Sequence, residues 1–412
     1  MTTATFIKKP KRLRRLREGS LGVHIDLFSA RLLKEGHCQQ SAWRNIKVVG
    51  DFSRWLARRG IVAEEIDEDI VDRYLRFRAQ HRHPFISDRP ALNRLLAVLR
   101  EDGVIAPKRL TSPSPHERIM EDFQRHLYQC GGYARRTIIT HLPTLRRFLS
   151  ECCPEGTRSF RKLLAADITG FVVRHAPEQS TRSTQRACWT LRTFLRYLRY
   201  KDLFDADLSG AVPSVRTWRF SSVPQFLSPA QVEKVLSAVH RTTALGRRDY
   251  AILLLLARLG LRASEVATLC LEDIDWQSGQ LTVRGKGRQR ARMPLPTDVG
   301  AAIADYLRRS RPQSESRRVF LREWAPHIGF SSGTNVTVIA CSALTRASVD
   351  APRKGAHVFR HSLATELLRA GASLTEIGQL LRHRSHDSTR LYAKVDLDSL
   401  RALAMRWPGG AP

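Results

Sequence analysis

The chain has 412 residues, 42% of them hydrophobic, and a formal net charge of +30 from 69 Lys and Arg against 39 Asp and Glu. That length predicts two or three domains of about 150 residues each, with apolar content ample for real cores. A compact protein of this charge repels itself unless a polyanion neutralises it; nucleic acid is the obvious polyanion, with a merely basic soluble protein as the plain alternative.

No run of about 18 apolar residues exists, which argues against a membrane span. Cysteines 38, 130, 152, 153, 188, 270 and 341 are scattered, odd in number, and form no C-x-x-C pair. Neither a disulfide framework nor a zinc site is indicated, and a reduced, cytoplasmic setting is expected. The N-terminus is basic but lacks the apolar stretch and small-residue cleavage site of a signal peptide.

Residues 1–19 read as a basic arm: Lys8, Lys9, Lys11, Arg12, Arg14, Arg15 and Arg17 face a single acid, Glu18. Such a segment is expected to be disordered alone, either lying along a phosphate backbone or remaining a solvated tail. An internal repeat of about 100 residues follows, over 20–108 and 113–210. Phe28 to Gly36 aligns with Phe123 to Gly131, Asp69-Ile70 with Asp167-Ile168, and Leu99 to Ile105 with Leu198 to Phe204. Each copy reads as four helices, because Ile46, Val49, Phe52 and Leu56, and likewise Ile138, Leu142, Leu145 and Phe148, recur at helical intervals. The second copy carries Arg135, Arg136, Arg146, Arg147, Arg182, Arg186, Arg192, Arg196 and Arg199, a set that suggests a phosphate-facing surface, though most of these arginines taken singly read as solvated.

Residues 211–225 form a linker rich in Pro and Ser. A fresh helix then starts with Ser228 as N-cap, Pro229 at the first helical position, and Gln231 closing a capping box. Asp249 to Leu259 is almost wholly apolar and predicts a buried helix ended by Gly260. Arg262 follows at once; beside so apolar a helix it needs a partner, either Glu265 or another carboxylate as structure, or an anionic ligand. Gln280–Arg284 and Arg292–Leu295 read as two strands, with Gly285-Lys286-Gly287 in the turn between them. Thr334–Ser348 predicts a helix and His357–Ala370 another, capped by Gly371. His357 and Arg360, three apart, share one helix face. Ser373 and Glu376 form a capping box, and His383 directly follows the helix they start. Tyr392 comes nine residues after His383, with Thr389 on the same face of a short helix. A tyrosine hydroxyl acts as a nucleophile only when other groups handle its proton and the charge on its target. For a phosphate target, the planar donor fork of arginine is well suited. Asp396–Trp407 predicts a short amphipathic helix that must dock, on its own domain or on a neighbour's.

In order, Arg262, Lys286, His357-x-x-Arg360, His383 and Tyr392 resemble the signature of the tyrosine recombinases, the phage-integrase family, from about Leu227 to the end. Type IB topoisomerases share most of this set but usually carry lysine where His357 stands, so His357 favours a recombinase. The resemblance implies a mainly α fold with a small β-sheet: two tandem helical, SAM-like core-binding domains, then a mixed α+β catalytic domain over 226–412 with a C-terminal docking helix at 396–407. It implies that Tyr392 attacks a DNA phosphodiester and forms a 3′-phosphotyrosyl link, releasing a 5′ hydroxyl. Arg262 and Arg360 would neutralise the non-bridging oxygens, His383 would add a hydrogen bond, Lys286 would protonate the leaving oxygen, and His357 would assist proton transfer. The implied partners are double-stranded DNA and further copies of the chain, as a tetramer on two DNA sites, with other recombinases alongside left open. No cofactor or metal is implied, and a bacterial, nucleoid-associated setting is expected. Two features depart from the family. The helical domain is doubled, and Arg382 stands where glycine is usual, so it either strains that turn or adds a phosphate contact. His361, next to Arg360, reads as structural support. A topoisomerase-like relaxing enzyme and a recombinase-derived DNA-binding protein without activity are the competing readings.

Overall fold

The computed structural model describes residues 3–7, 10–81, 85, 87–107, 114–154, 160–203, 207–216, 225–285, 290–351, 354–383, 385 and 389–395. They form two compact units, Met1–Pro107 with Ser222–Pro412, and Lys108–Ser221.

In the first unit, four helices build an N-terminal bundle: α3 (Ile25–Lys34), α4 (Gln39–Ala57), α5 (Glu68–His81) and α6 (Asp88–Glu101). Phe28, Ile46, Val49, Phe52, Leu92, Leu95 and Leu99 meet in its core. The arm expected to be disordered is helical where it is described, as α1 (Thr3–Phe6) and α2 (Pro10–Arg17). The reason is spacing: Leu13 and Leu16 lie three apart and pack on the bundle, while Lys11, Arg14, Arg15 and Arg17 stay exposed. Arg17 and Thr3 both bond the Asp26 carboxylate, at 2.8 and 2.5 Å, which ties the arm to α3. The bundle, with a core of its own, also touches the C-terminal region of this unit. The Glu35 carbonyl accepts the His327 N–H at 3.4 Å, and a Cβ on Gly36 would sit 2.6 Å from the His327 ring.

The C-terminal part of this unit surrounds α12 (Ala244–Leu259), whose residues Ala251 to Leu256 are all buried. α11 (Pro229–Ser237) begins with the expected capping box, the Ser228 hydroxyl accepting the Gln231 N–H and the Gln231 amide oxygen accepting the Ser228 N–H. A cap of this kind contributes about 1 kcal/mol. α13 (Ala263–Thr268) leads into an antiparallel sheet of three strands, one more than expected: β1 (Ile274–Asp275), β2 (Gln280–Arg284) and β3 (Arg290–Pro294), in that order. Leu281 pairs with Met293 and with Ile274, and these with Val283 turn one sheet face to the core. α14 (Thr297–Arg309), α15 (Gly333–Arg346), α16 (Ala356–Arg369) and α17 (Leu374–Leu380) complete it. No described helix is long and apolar enough to cross a membrane.

The second unit is a bundle of α7 (Pro115–Gln129), α8 (Arg135–Cys152), α9 (Ala165–His175) and α10 (Thr181–Tyr200). Phe123, Phe148, Phe160, Phe171 and Phe194 meet edge to face in its core. Its arginines divide. Arg135, Arg136, Arg146, Arg182, Arg186 and Arg196 are exposed. Arg192 instead bonds the Val212 and Pro213 carbonyls and the Ser214 hydroxyl, so it fastens the start of the linker. Arg147 pairs with Glu151 and Glu178.

Candidate active site

Five of the six expected site residues come together; Lys286 lies outside the described residues, as do 396–407. Local sequence explains each placement. Gly260 caps α12 in the left-handed conformation at φ 55°, where a Cβ would lie 2.8 Å from Leu381. The chain therefore turns sharply, and Arg262 becomes the N-cap of α13. Glu265 closes this start, accepting the Arg262 backbone N–H and Nη1 at 2.8 Å each. The same buried carboxylate accepts Arg382 Nη2 at 3.1 Å.

Helix α16 delivers three site groups from successive turns. His357 stands exposed; Arg360 is buried, at 3% exposure; His361 is half-buried behind it. Arg360 donates Nη1 to the Gly260 carbonyl at 2.5 Å and Nη2 to the Leu381 carbonyl. It thus clamps the end of α12 to the end of α17. Beyond Leu381, Arg382 takes φ 55°, a conformation that costs a side-chain-bearing residue roughly 1–2 kcal/mol. The expected strain at this turn is real in geometry, and Arg382 spends its guanidinium on Glu265, the Leu380 carbonyl and the Met293 sulfur. The turn aims His383 inward. Its Nδ1 lies 2.8 Å from the Thr389 hydroxyl, and its ring is nearly parallel to that of Tyr392, with 6.3 Å between centroids.

Tyr392 sits in a 3₁₀ turn, Leu391–Val395, and is 1% exposed among Ala364, Ile377 and Leu381. Among the described residues, its hydroxyl has one side-chain hydrogen bond, to His361 Nδ1 at 2.9 Å. His361, expected as structural support, is the group in contact with the tyrosine hydroxyl. One helical turn separates it from His357, so the pair was readable as one face, but nothing in the sequence brings it to the tyrosine. Thr389 was expected on the Tyr392 face; in the structure its hydroxyl contacts His383.

The electrostatics are lopsided. Arg262 and Arg382 share one carboxylate, Glu265, while Arg360 bonds the Gly260 and Leu381 carbonyls, so the cluster holds an excess of positive charge. Burial, then Arg262 and Arg382, push the Arg360 guanidinium down to about 10. Burial works to raise the Glu265 carboxyl, but its bonds to Arg262 and the charge of Arg382 hold it below the usual range. Burial and then neighbouring charges push His361 and His383 down to about 4. His357 is lowered as well, by partial desolvation and then by Arg360 and Arg262. Burial pushes the Tyr392 phenol up, and Arg360 and Arg262 pull it back. Near neutral pH, His361 and His383 are thus uncharged, with the Arg360 and Arg262 guanidinium groups acting on a buried phenol. This arrangement suits a single tetrahedral anion, whose oxygens would complete the hydrogen bonding of Arg262 and neutralise the excess charge.

In the tautomer in which Nδ1 accepts from the Thr389 hydroxyl, a neutral His383 carries its proton on Nε2, available to donate to such an anion. Thr389→Val, nearly the same size, should therefore lower DNA cleavage about 10–100-fold, the usual scale for losing a group that orients a ligand-contacting histidine. Thr389→Ser should restore most of it. The check is single-turnover cleavage at saturating protein; equal rates for the Val and Ser variants would remove Thr389 from the reaction.

The phage integrase family model matches residues 225–398, the region that holds this site. Over 408 residues, 98% of this chain and 99% of the relative, the chain is 43% identical to a putative integrase/recombinase, y4rA, of Sinorhizobium fredii (strain NBRC 101917 / NGR234). It is 31% identical over 259 residues, 61% of this chain, to 83% of tyrosine recombinase XerC of Oceanobacillus iheyensis (strain DSM 14371 / CIP 107618 / JCM 11309 / KCTC 3954 / HTE831). Among solved structures, the XerH site-specific recombinase bound to difH substrate, a pre-cleavage complex, matches 82% of this chain and 95% of its own, with a TM-score of 0.53 and 16% identity. That likeness concerns the fold: helical domains ahead of a mixed catalytic domain. With 43% identity to one relative over nearly its full length and the family model matching the region of the site, the chain belongs to the phage integrase family, the tyrosine recombinases, enzymes of site-specific DNA recombination.

Proposed function

We propose that this protein cuts and rejoins double-stranded DNA at specific sites through a 3′-phosphotyrosyl link to Tyr392, in the integration, excision or transposition of a mobile element. The observation that supports it most is the surplus of positive charge, from Arg360 and Arg262, beside a single buried phenol. Tyr392 attacks the scissile phosphate. Arg262 and Arg360 stabilise the charge growing on the non-bridging oxygens, and His383 donates a further hydrogen bond. Lys286, from the turn between β2 and β3, protonates the leaving 5′ oxygen, and His357 assists proton transfer from the exposed turn of α16. The bond energy stays in the phosphotyrosine, so the scheme uses neither ATP nor metal. A 5′ hydroxyl of a partner strand then attacks the link and restores the phosphodiester. The relative's name, integrase/recombinase, and the DNA-bound recombinase of like fold support this substrate and outcome over simple relaxation.

The test is to trap the protein on nicked DNA, sequence the attached strand, and assay exchange between two copies of the recovered site. A unique attachment site with exchange supports the proposal; scattered attachment with relaxation only would favour a topoisomerase-like enzyme.

The reaction needs four strands cut in a controlled order, and we assign that control to a tetramer on two sites. Residues 396–407 follow the nucleophile directly, and their apolar side, Leu397, Leu400 and Leu403, needs a partner surface. Truncation after Val395 should spare monomer binding but impair cooperative assembly and strand exchange. Leu400→Asp should act alike, because a charge in an apolar contact costs several kcal/mol. Gel-shift titrations on one-site and two-site DNA measure this; unchanged cooperativity and exchange would leave the segment packed in cis or idle.

A further inference from the structure

The contact of Tyr392 with His361 carries an assignment of its own. The phenol must lose a proton as it attacks, and the acceptor has to be within hydrogen-bond reach. His361 Nδ1 meets that condition at 2.9 Å. His357 lies a turn away on the exposed side, its ring centroid 6.4 Å from that of His361. The His383 ring lies alongside Tyr392, but its Nδ1 is engaged by Thr389. Arg262 and Arg360 have no acceptor role, since a guanidinium does not give up its proton in proteins.

We propose that His361 is the proton acceptor for Tyr392, a catalytic residue outside the six-residue signature. This rests on the reading of Tyr392 as the nucleophile. In cleavage, the bond from Tyr392 Oη to phosphorus forms and the phenolic proton passes to His361 Nδ1. The bond from phosphorus to the 5′ oxygen breaks, and that oxygen takes a proton from the leaving-group acid. In rejoining, His361 returns its proton to the departing Tyr392 oxygen, and nothing else is consumed.

The setting makes the acceptor depend on substrate. In the free protein, burial and the charges of His357 and Arg360 disfavour a protonated His361. A phosphate seated on Arg262 and Arg360 cancels much of that nearby positive charge. Proton acceptance then becomes easier only when DNA is in place.

The test uses the full chain and a nicked DNA duplex carrying either the ordinary phosphodiester or a bridging sulfur at the 5′ leaving position. A thiolate leaves without an acid, so defects in protonating the leaving group vanish on the sulfur substrate, whereas defects in removing the tyrosine proton persist. Covalent adduct formation is followed in single turnover at saturating protein for His361→Asn and His361→Gln. Asn places an amide atom near the Nδ1 position and Gln near Nε2; neither can take a proton, and two variants guard against a failure of either to fold. Both should be slowed about 100-fold or more on both substrates, the usual scale of general-base assistance, with DNA affinity retained. A His361→Asn or His361→Gln rate within about threefold of wild type, or a defect erased by the sulfur substrate, would overturn the assignment. A covalent adduct that survives Tyr392→Phe would instead sink the nucleophile reading on which it rests.

Discussion

Tyr392→Phe should yield no covalent protein–DNA adduct, while DNA affinity should stay within about twofold of wild type. The substitution removes one oxygen from a residue 1% exposed, so the ring keeps its place among Ala364, Ile377 and Leu381. The lost hydrogen bond to His361, 2.9 Å long, is worth only about 0.5–1.5 kcal/mol of stability. For a chain of charge +30, affinity should rest on many phosphate contacts, so that loss of a single hydroxyl changes it little. Chemistry is different, because without the oxygen there is no bond to form. The measurement is a denaturing gel of protein incubated with a nicked suicide substrate. A persistent adduct on the Phe variant would move the nucleophile elsewhere.

Arg262→Ala and Arg360→Ala should each lower the rate of cleavage by two to three orders of magnitude, since one preorganised transition-state donor is worth about 2.7–4 kcal/mol. The two differ in what else they disturb. Arg262 is half-exposed, and its removal leaves Glu265 still bonded to Arg382 and to the residue-262 backbone N–H. Its fold should survive almost intact. Arg360 is buried and clamps the Gly260 and Leu381 carbonyls, so Arg360→Ala also unfastens α12 from the α17 turn. It should melt earlier than Arg262→Ala as well as cleave slowly. Arg360→Lys should recover little, because an ammonium cannot span the two carbonyls as a planar fork does. Single-turnover cleavage at saturating protein separates these effects from binding. A collapse of affinity with a normal rate on bound DNA would make both arginines binding residues only.

The site was legible in sequence to the extent that its chemistry is carried by residue types at fixed local intervals. His357 and Arg360 share a helix face by count alone, and Gly260 and Ser228 mark where helices stop and start because backbone conformation there favours so few residues. The N-terminal arm was not legible by composition: seven basic residues outweighed Leu13 and Leu16, yet that pair at helical spacing is enough to seat α2 on a bundle whose core supplies the rest. Arg192 misled in the same way. A basic residue on a basic helix reads as solvated or phosphate-facing, and only the returning linker shows it bonded to three oxygens.

Sequence by itself therefore determined the family, the identity of the nucleophile candidate, and the apolar helix α12 against which the site is built, since each follows from neighbours along the chain. Tertiary structure decided what those residues touch. It placed Arg382 and Arg262 on one buried carboxylate, and left Arg360 among carbonyls with no acid of its own. It also brought Thr389 to His383 and His361 to the Tyr392 hydroxyl. These contacts join segments separated by loops, and hydrogen bonding in a buried site depends on ångström-scale distance and direction, which no interval along a chain encodes.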